Sequence, residues 1–198
     1  LKVDQFGYPP DVQKICVVNN PTAGFDFEAG DFYTPGAALQ VVKAADNSIV
    51  MSGPAVTWHG GTSYDQSGDI VWWFDFSSVT TPGTYFIYDP LNAKRSFTFD
   101  IREDVYVNVL KQSVRMFYFQ RSGFAKTAPY AFDWTDGASH LGSQQDLDCR
   151  LVTNPVPGTS KQLQGGWFDA GDYNKYVNFA YEPIHDLSLA YIERPDVW

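Results

Sequence analysis

The sequence predicts a two-part chain, an all-β first half followed by helices, and three observations carry that reading. Roughly seven short β-branched and aromatic runs, separated by turn signals, fill the first hundred residues. Near residue 102 the hydrophobic period changes from 2 toward 3.6. A polar, Gly- and Pro-containing stretch, 122–166, then separates two helical patterns. These place a β-sandwich of immunoglobulin type in residues 1–102 and a helix-bearing part in residues 103–198.

The elements follow in order. Lys14–Val18 is a short strand that ends at Asn19-Asn20-Pro21. Leu39–Lys43 follows the Pro35-Gly36 turn signal, and Ile49–Met51 follows Asp46-Asn47-Ser48. From Ile70 to Phe76 the residues alternate, with Trp72, Phe74 and Phe76 on one face. Pro82-Gly83 suits a type II turn, where the glycine supplies positive φ. Tyr85 and Ile87 share a face in the next run, and Phe97, Phe99 and Ile101 in the one after. The Cys–Trp–Cys pattern of antibody domains is absent, so only the architecture is expected. Asp104 is the expected N-cap of a helix in which Tyr106, Leu110, Val114 and Phe117 recur at helical spacing, up to about Gln120. A second helix is expected within 174–193, with Ile184, Leu187 and Tyr191 apolar. Pro183 either kinks it or sits in its first turn, and Pro195 closes it. Two helices and one long loop leave apolar faces uncovered, so more polypeptide is expected to follow.

Composition excludes several function classes. The 198 residues carry 14 Lys and Arg against 23 Asp and Glu, a formal charge of −9, which opposes general nucleic-acid binding. No apolar run approaches the ~20 residues that span a bilayer, and no targeting segment is visible in the Leu1-Lys2-Val3-Asp4 opening. Aromatic residues make up 17%, enough for a large core rather than disorder. Cys16 and Cys149 lie far apart and are expected to be free thiols.

The stretch that carries chemistry is Gly165-Gly166-Trp167-Phe168-Asp169-Ala170-Gly171-Asp172-Tyr173-Asn174-Lys175-Tyr176. It sets two carboxylates three residues apart around two small residues that let a ligand approach. Both are expected just before a helix start, whose dipole favours their ionised form. One such carboxylate can deprotonate a water that its neighbour orients, opposite an acid across the scissile bond, as in glycoside hydrolysis. The spacing equally permits an Asx turn or helix cap, or half of a calcium site. Neighbouring Trp and Tyr rings favour carbohydrate, because flat apolar rings stack on sugar faces.

The run 165–176 resembles the signature of glycoside hydrolase family 9, the inverting cellulases. Three other segments are similar to that family: Val3–Pro10, like the start of its immunoglobulin-like module; Met116–Gly123, like the end of its first catalytic helix; and Ala190–Asp196, like the end of its second. The resemblance implies an (α/α)6 barrel of which this chain holds only the first helical hairpin. It implies that Asp172 is the general base, that Asp169 helps hold the water, and that a β-1,4-glucan is cleaved with inversion by endo action. The family's acid is a Glu near the far C-terminus; Glu182 and Glu193 lie too close in sequence to be it. The chain alone is therefore expected to be silent until the remainder of the barrel joins it, in the same or a separate polypeptide. An exo-acting β-glycosidase of the same family, or a non-catalytic carbohydrate-binding or structural module, are the alternatives. Retention of both Asp169 and Asp172 argues against the last.

Many relatives carry a structural zinc held by two Cys and two His. The matching positions here look like Ser122, Ser139, His140 and Phe168, so no zinc is expected, and no cofactor is needed for the chemistry. Structural calcium at Asp136, Asp146 and Asp148 is the minor alternative to solvated loop carboxylates. Tyr173, Trp167 and His140 are the candidate substrate-binding residues; each has a packing role as its plain alternative. His59 and His185 are expected at the surface and on the second helix. Of Trp72 and Trp73, alternation puts at least one in the core, which weakens a sugar platform there. The β-module is expected to stabilise the barrel rather than bind polysaccharide alone. The expected partners are a β-glucan and the rest of the barrel, with no nucleic acid and no membrane. A polymeric substrate places the protein outside the cell.

Overall fold

A computed structural model describes residues 1–197. The chain divides into a first unit, Leu1–Val107, and a second that begins at Asn108. The first unit holds two antiparallel sheets. One is built from β1 (Ile15–Pro21), β5 (Asp69–Asp75) and β4 (Val56–Thr57), in that order. The other runs β3 (Ile49–Gly53), β2 (Leu39–Lys43), β6 (Gly83–Asp89) and β7 (Lys94–Arg95), with β8 (Phe99–Ile101) also paired to β6. Alternation builds the core. Cys16 and Val18 of β1 face inward, as do Trp72 and Phe74 of β5, against Leu39 and Val41 of β2 and Tyr85 and Ile87 of β6. Tyr8 fills the centre, edge-on to Phe76 and Phe99, each with ring centroids 5.3 Å away.

Phe97 departs from the expected pattern. Ser96 still bonds Ile87 through its amide, but the chain then leaves the sheet and re-enters at Phe99, so Phe97 is exposed. The tryptophan pair divides: Trp72 is buried, while Trp73 is exposed and stacks on Trp58. Cys16 and Cys149 are both free, the first buried.

The segment after β8 is fastened to the sandwich. The Tyr8 amide donates to Asp100 O, the Arg102 amide to Tyr8 O, and the Tyr106 hydroxyl to Asp4 Oδ2 at 2.9 Å. Gly7, at φ +96°, lets these strands close: a Cβ there would lie 2.4 Å from Asp100 O and 2.6 Å from Val105 Cγ2.

The first helix, α1 (Val107–Gln120), starts three residues after Asp104 rather than beside it, with the Val107 amide bonded to the Asp104 carbonyl. Tyr106 therefore precedes the helix. The second, α2 (Tyr181–Glu193), puts Pro183 in its first turn, where a missing amide costs nothing. Neither helix contains a buried residue. Between them the chain is irregular, held by bridges such as Lys126 to Asp136 and Cys149 to Lys161. Among the described residues, no helix is long and apolar enough to cross a membrane.

Candidate active site

The last carbonyls of α1 position the Gly165–Tyr176 stretch. A helix leaves four carbonyls without partners at its C-terminus. Here Trp167 Nε1 donates to Phe117 O at 3.0 Å and the Phe168 amide to Gln120 O at 2.8 Å. The Ser122 amide returns a bond to Gly166 O at 2.8 Å. Phe168 is buried by this docking, which fixes the residue before Asp169.

A tight loop follows. The Asp169 amide donates to Asn174 O at 2.9 Å. Inside the loop Tyr173 takes φ +58°, a conformation uncommon outside glycine. The Asp172 carboxylate accepts the Asn174 amide on Oδ1 and the Asn174 side-chain amide on Oδ2, each at 3.1 Å, and the Tyr176 hydroxyl at 3.3 Å. The Asn174 amide, followed by its side chain, holds the Asp172 carboxyl below the ordinary carboxylate range. A helix dipole is not the cause: α2 begins at Tyr181, nine positions after Asp172. An Asx turn, one of the alternatives the sequence leaves open, is present at Asp172 and Asn174, and it leaves an ionised, exposed carboxylate.

Asp169 and Trp167 line a cavity of about 340 Å³ together with Phe117, Tyr176, Phe179 and Glu182. Tyr173 and His140 lie elsewhere. Their rings pack on Phe168 with centroids 5.3 Å and 5.0 Å away, leaving Tyr173 63% exposed. His185 pairs with Asp186 at the surface, at 3.3 Å. Asn174 and Lys175 belong to the site and were missed as functional residues. Their signal was adjacency to Asp172, which spacing arguments about carboxylates do not use.

The donors near the loop set what metal it could hold. Ser122 Oγ and Ser139 Oγ are buried without a hydrogen-bond partner among the described residues, and the His140 and Phe168 rings pack on each other with centroids 5.0 Å apart. The Lys126 ammonium, on a side chain only 3% exposed, lies 5.8 Å from the Phe168 ring centre. One imidazole, two hydroxyls, a phenyl ring and a nearby cation do not fit tetrahedral zinc, which takes thiolate and imidazole donors. Of the three loop carboxylates, Asp146 pairs with Lys175, Asp148 with Arg150 at 2.6 Å, and Asp136 accepts the Gly137 amide.

Comparison with known proteins finds relatives for both parts of the chain. Residues 106–198 match the family described as glycosyl hydrolase family 9, and residues 1–90 match the one described as cellulase N-terminal ig-like domain. The chain is 29% identical, over its whole length, to a xyloglucan-specific endo-β-1,4-glucanase of Bacteroides ovatus, of which it spans 32%. It is 30% identical over 89% of its length to a cellulose 1,4-β-cellobiosidase of Acetivibrio thermocellus, of which it spans 20%. The crystal structure of a metagenome-derived glycoside hydrolase family 9 endoglucanase superposes with a TM-score of 0.73 at 32% identity, covering 99% of this chain and 34% of that one. The chain thus spans about a third or less of each relative.

Proposed function

Residues 106–198 belong to glycosyl hydrolase family 9 and residues 1–90 are a cellulase-type ig-like domain, and from that premise we propose that the protein hydrolyses β-1,4-glucosidic bonds of cellulose or a related β-glucan. In this reading Asp172 is the general base and takes a proton from water. Asp169, exposed beside it, orients that water. The water attacks the anomeric carbon from the face opposite the leaving group, so configuration inverts. The observation that supports this most is the Asp172 carboxylate, kept ionised and exposed by Asn174 and Tyr176. Trp167, Tyr173 and His140 are proposed to face the sugar. Tyr173 offers an exposed ring for stacking, and His140, half-buried against Phe168, offers ring nitrogens to hydroxyls. The acid that protonates the leaving oxygen is proposed to come from the remainder of an (α/α)6 catalytic domain, which would also cover the apolar residues of α1 and α2. The action is proposed to be endo and extracellular.

Two measurements test the reading. The chain joined to the rest of its catalytic domain is given cellopentaose, and the first product is followed by proton NMR. The α-anomer is expected first; the β-anomer appearing first would refute inversion, while the 198-residue chain by itself should release no sugar. Elemental analysis of the same protein should find zinc well below one ion per chain. One ion per chain would show that the donor argument from Ser122, Ser139 and Phe168 is wrong.

A further inference from the structure

Lys175 closes the carboxylate loop, and its ammonium is fully engaged. Its three protons go to Asp146 Oδ2, to Leu163 O at 2.9 Å and to Gly165 O at 2.9 Å. The Asp146 side chain is only 7% exposed, so the pair is largely withdrawn from water. Asp146 is itself anchored twice through its backbone: its amide donates to His140 O at 3.0 Å and its carbonyl accepts the Leu163 amide at 2.7 Å. One ammonium therefore gathers the 140–146 turn, the 163–165 segment and the start of the Gly-Gly-Trp run.

The other side of Lys175 faces the chemistry. Its neighbour Asn174 holds both oxygens of Asp172 and, through its carbonyl, the amide of Asp169. The bonds inside the loop run among exposed residues, so its place depends on what anchors its two ends. The ammonium of Lys175, held by Asp146, Leu163 and Gly165, supplies a fixed point immediately after Asn174, and buried Phe168 supplies the other fixed point before Asp169.

We propose that the Lys175–Asp146 pair is a positioning device for the reaction, setting the orientation of Asp172 and Asp169 through Asn174 without touching substrate. The inference rests on the general-base reading of Asp172. Misplacement of a reacting group by about 1 Å can cost on the order of 10²-fold in rate. Loss of the pair is therefore expected to lower kcat more than it changes KM.

The test uses the chain joined to the rest of its catalytic domain, with cellopentaose as substrate. Lys175→Met is expected to lower kcat about 10- to 100-fold with KM within about twofold. Lys175→Arg, which keeps the charge, should retain more kcat than Lys175→Met. The double variant Lys175→Met/Asp146→Asn removes both charges, so no unpaired carboxylate stays buried. It is expected to regain most of the melting temperature lost by Lys175→Met while kcat stays low. A merely structural role predicts that kcat returns with the melting temperature, and that result overturns the proposal, as does an unchanged kcat in Lys175→Met. Asp172→Asn in the same protein separates the two readings: if it leaves hydrolysis intact, the general-base assignment has failed. Amide exchange on the 198-residue chain then decides alone. Lys175→Met should speed exchange at the Asp169 and Asn174 amides about tenfold or more relative to α1; unchanged exchange there refutes the positioning role.

Discussion

Asp172→Asn, in the chain joined to the rest of its catalytic domain, is expected to lower kcat by about 10²- to 10⁴-fold on cellopentaose, the usual contribution of a positioned base. The substitution is a narrow one. An asparagine at 172 keeps the shape and the acceptor that the Asn174 amide needs, so the Asx turn survives. What it removes is the charge that takes the proton. Melting temperature is expected to stay within a few degrees and KM close to that of the parent. A loss of less than about tenfold would leave Asp172 as a turn residue only. The pH dependence adds a second arm. Asn174, first by its backbone amide and then by its side chain, holds the Asp172 carboxyl down, so the base stays ionised into acid. Asn174→Ala removes the side-chain donor and leaves the amide. The Asp172 pKa then rises, and the acid limb of the kcat/KM profile moves to higher pH. A limb that stays put or moves lower would mean that another group sets it.

The β-module was legible in the sequence because its core follows a period of 2 over runs long enough to count. Cys16 and Val18, Trp72, Phe74 and Phe76, and Tyr85 and Ile87 all face inward as alternation requires. The two-residue strands β4 and β7 are too short to carry a period, and Phe97 looked like core because nothing in the sequence marks where the chain leaves the sheet between β7 and β8. Helix spacing placed α1 to within three residues, since Leu110, Val114 and Phe117 do share partial burial. The start of α2 was placed too early, because the Asp172 loop and the turns before Tyr181 share the polarity of a helix N-terminus.

At the site, residue type and spacing pointed to Asp169 and Asp172, but not to what holds them. Asn174 acts through its backbone as much as its side chain, and the partner of Lys175 is Asp146, 29 residues away. Such long-range pairing across irregular chain leaves no periodic trace. The same holds for α1, whose last carbonyls are capped by Trp167 and Phe168 from a distant loop rather than by a local glycine.

Asp89 is expected to be the most sensitive polar position of the β-module. It is fully buried at the end of β6, and nothing in the sequence singled it out. Its Oδ2 accepts the Tyr33 hydroxyl at 2.6 Å, the Asn92 side-chain amide at 2.7 Å and the Gly36 amide at 3.1 Å. Its Oδ1 accepts the Leu91 and Asn92 amides at 3.0 and 3.4 Å. One carboxylate therefore ties the 33–36 segment to the turn after β6. The approach is close enough that a Cβ on Gly36 would sit 2.8 Å from Asp89 Oδ1. Asp89→Ala strands these donors, several of them away from water, and should cost about 3–4 kcal/mol in urea unfolding of the 198-residue chain followed by tryptophan fluorescence. A cost below about 1 kcal/mol would mean that water replaces the carboxylate freely. Acid gives an independent reading. Burial pushes the Asp89 carboxyl up, but the Tyr33 hydroxyl, the Asn92 side chain and the Gly36 and Leu91 amides outweigh it and hold it below the ordinary value. A group depressed in the folded state stabilises above its unfolded pKa, about 3.9, and that stability is lost as pH falls through the folded value. Asp89→Asn cannot titrate, so its stability should fall less steeply than the parent's below about pH 4. If parent and variant lose stability in parallel through that range, the acid sensitivity of the module lies in other carboxylates and Asp89 acts through its geometry alone.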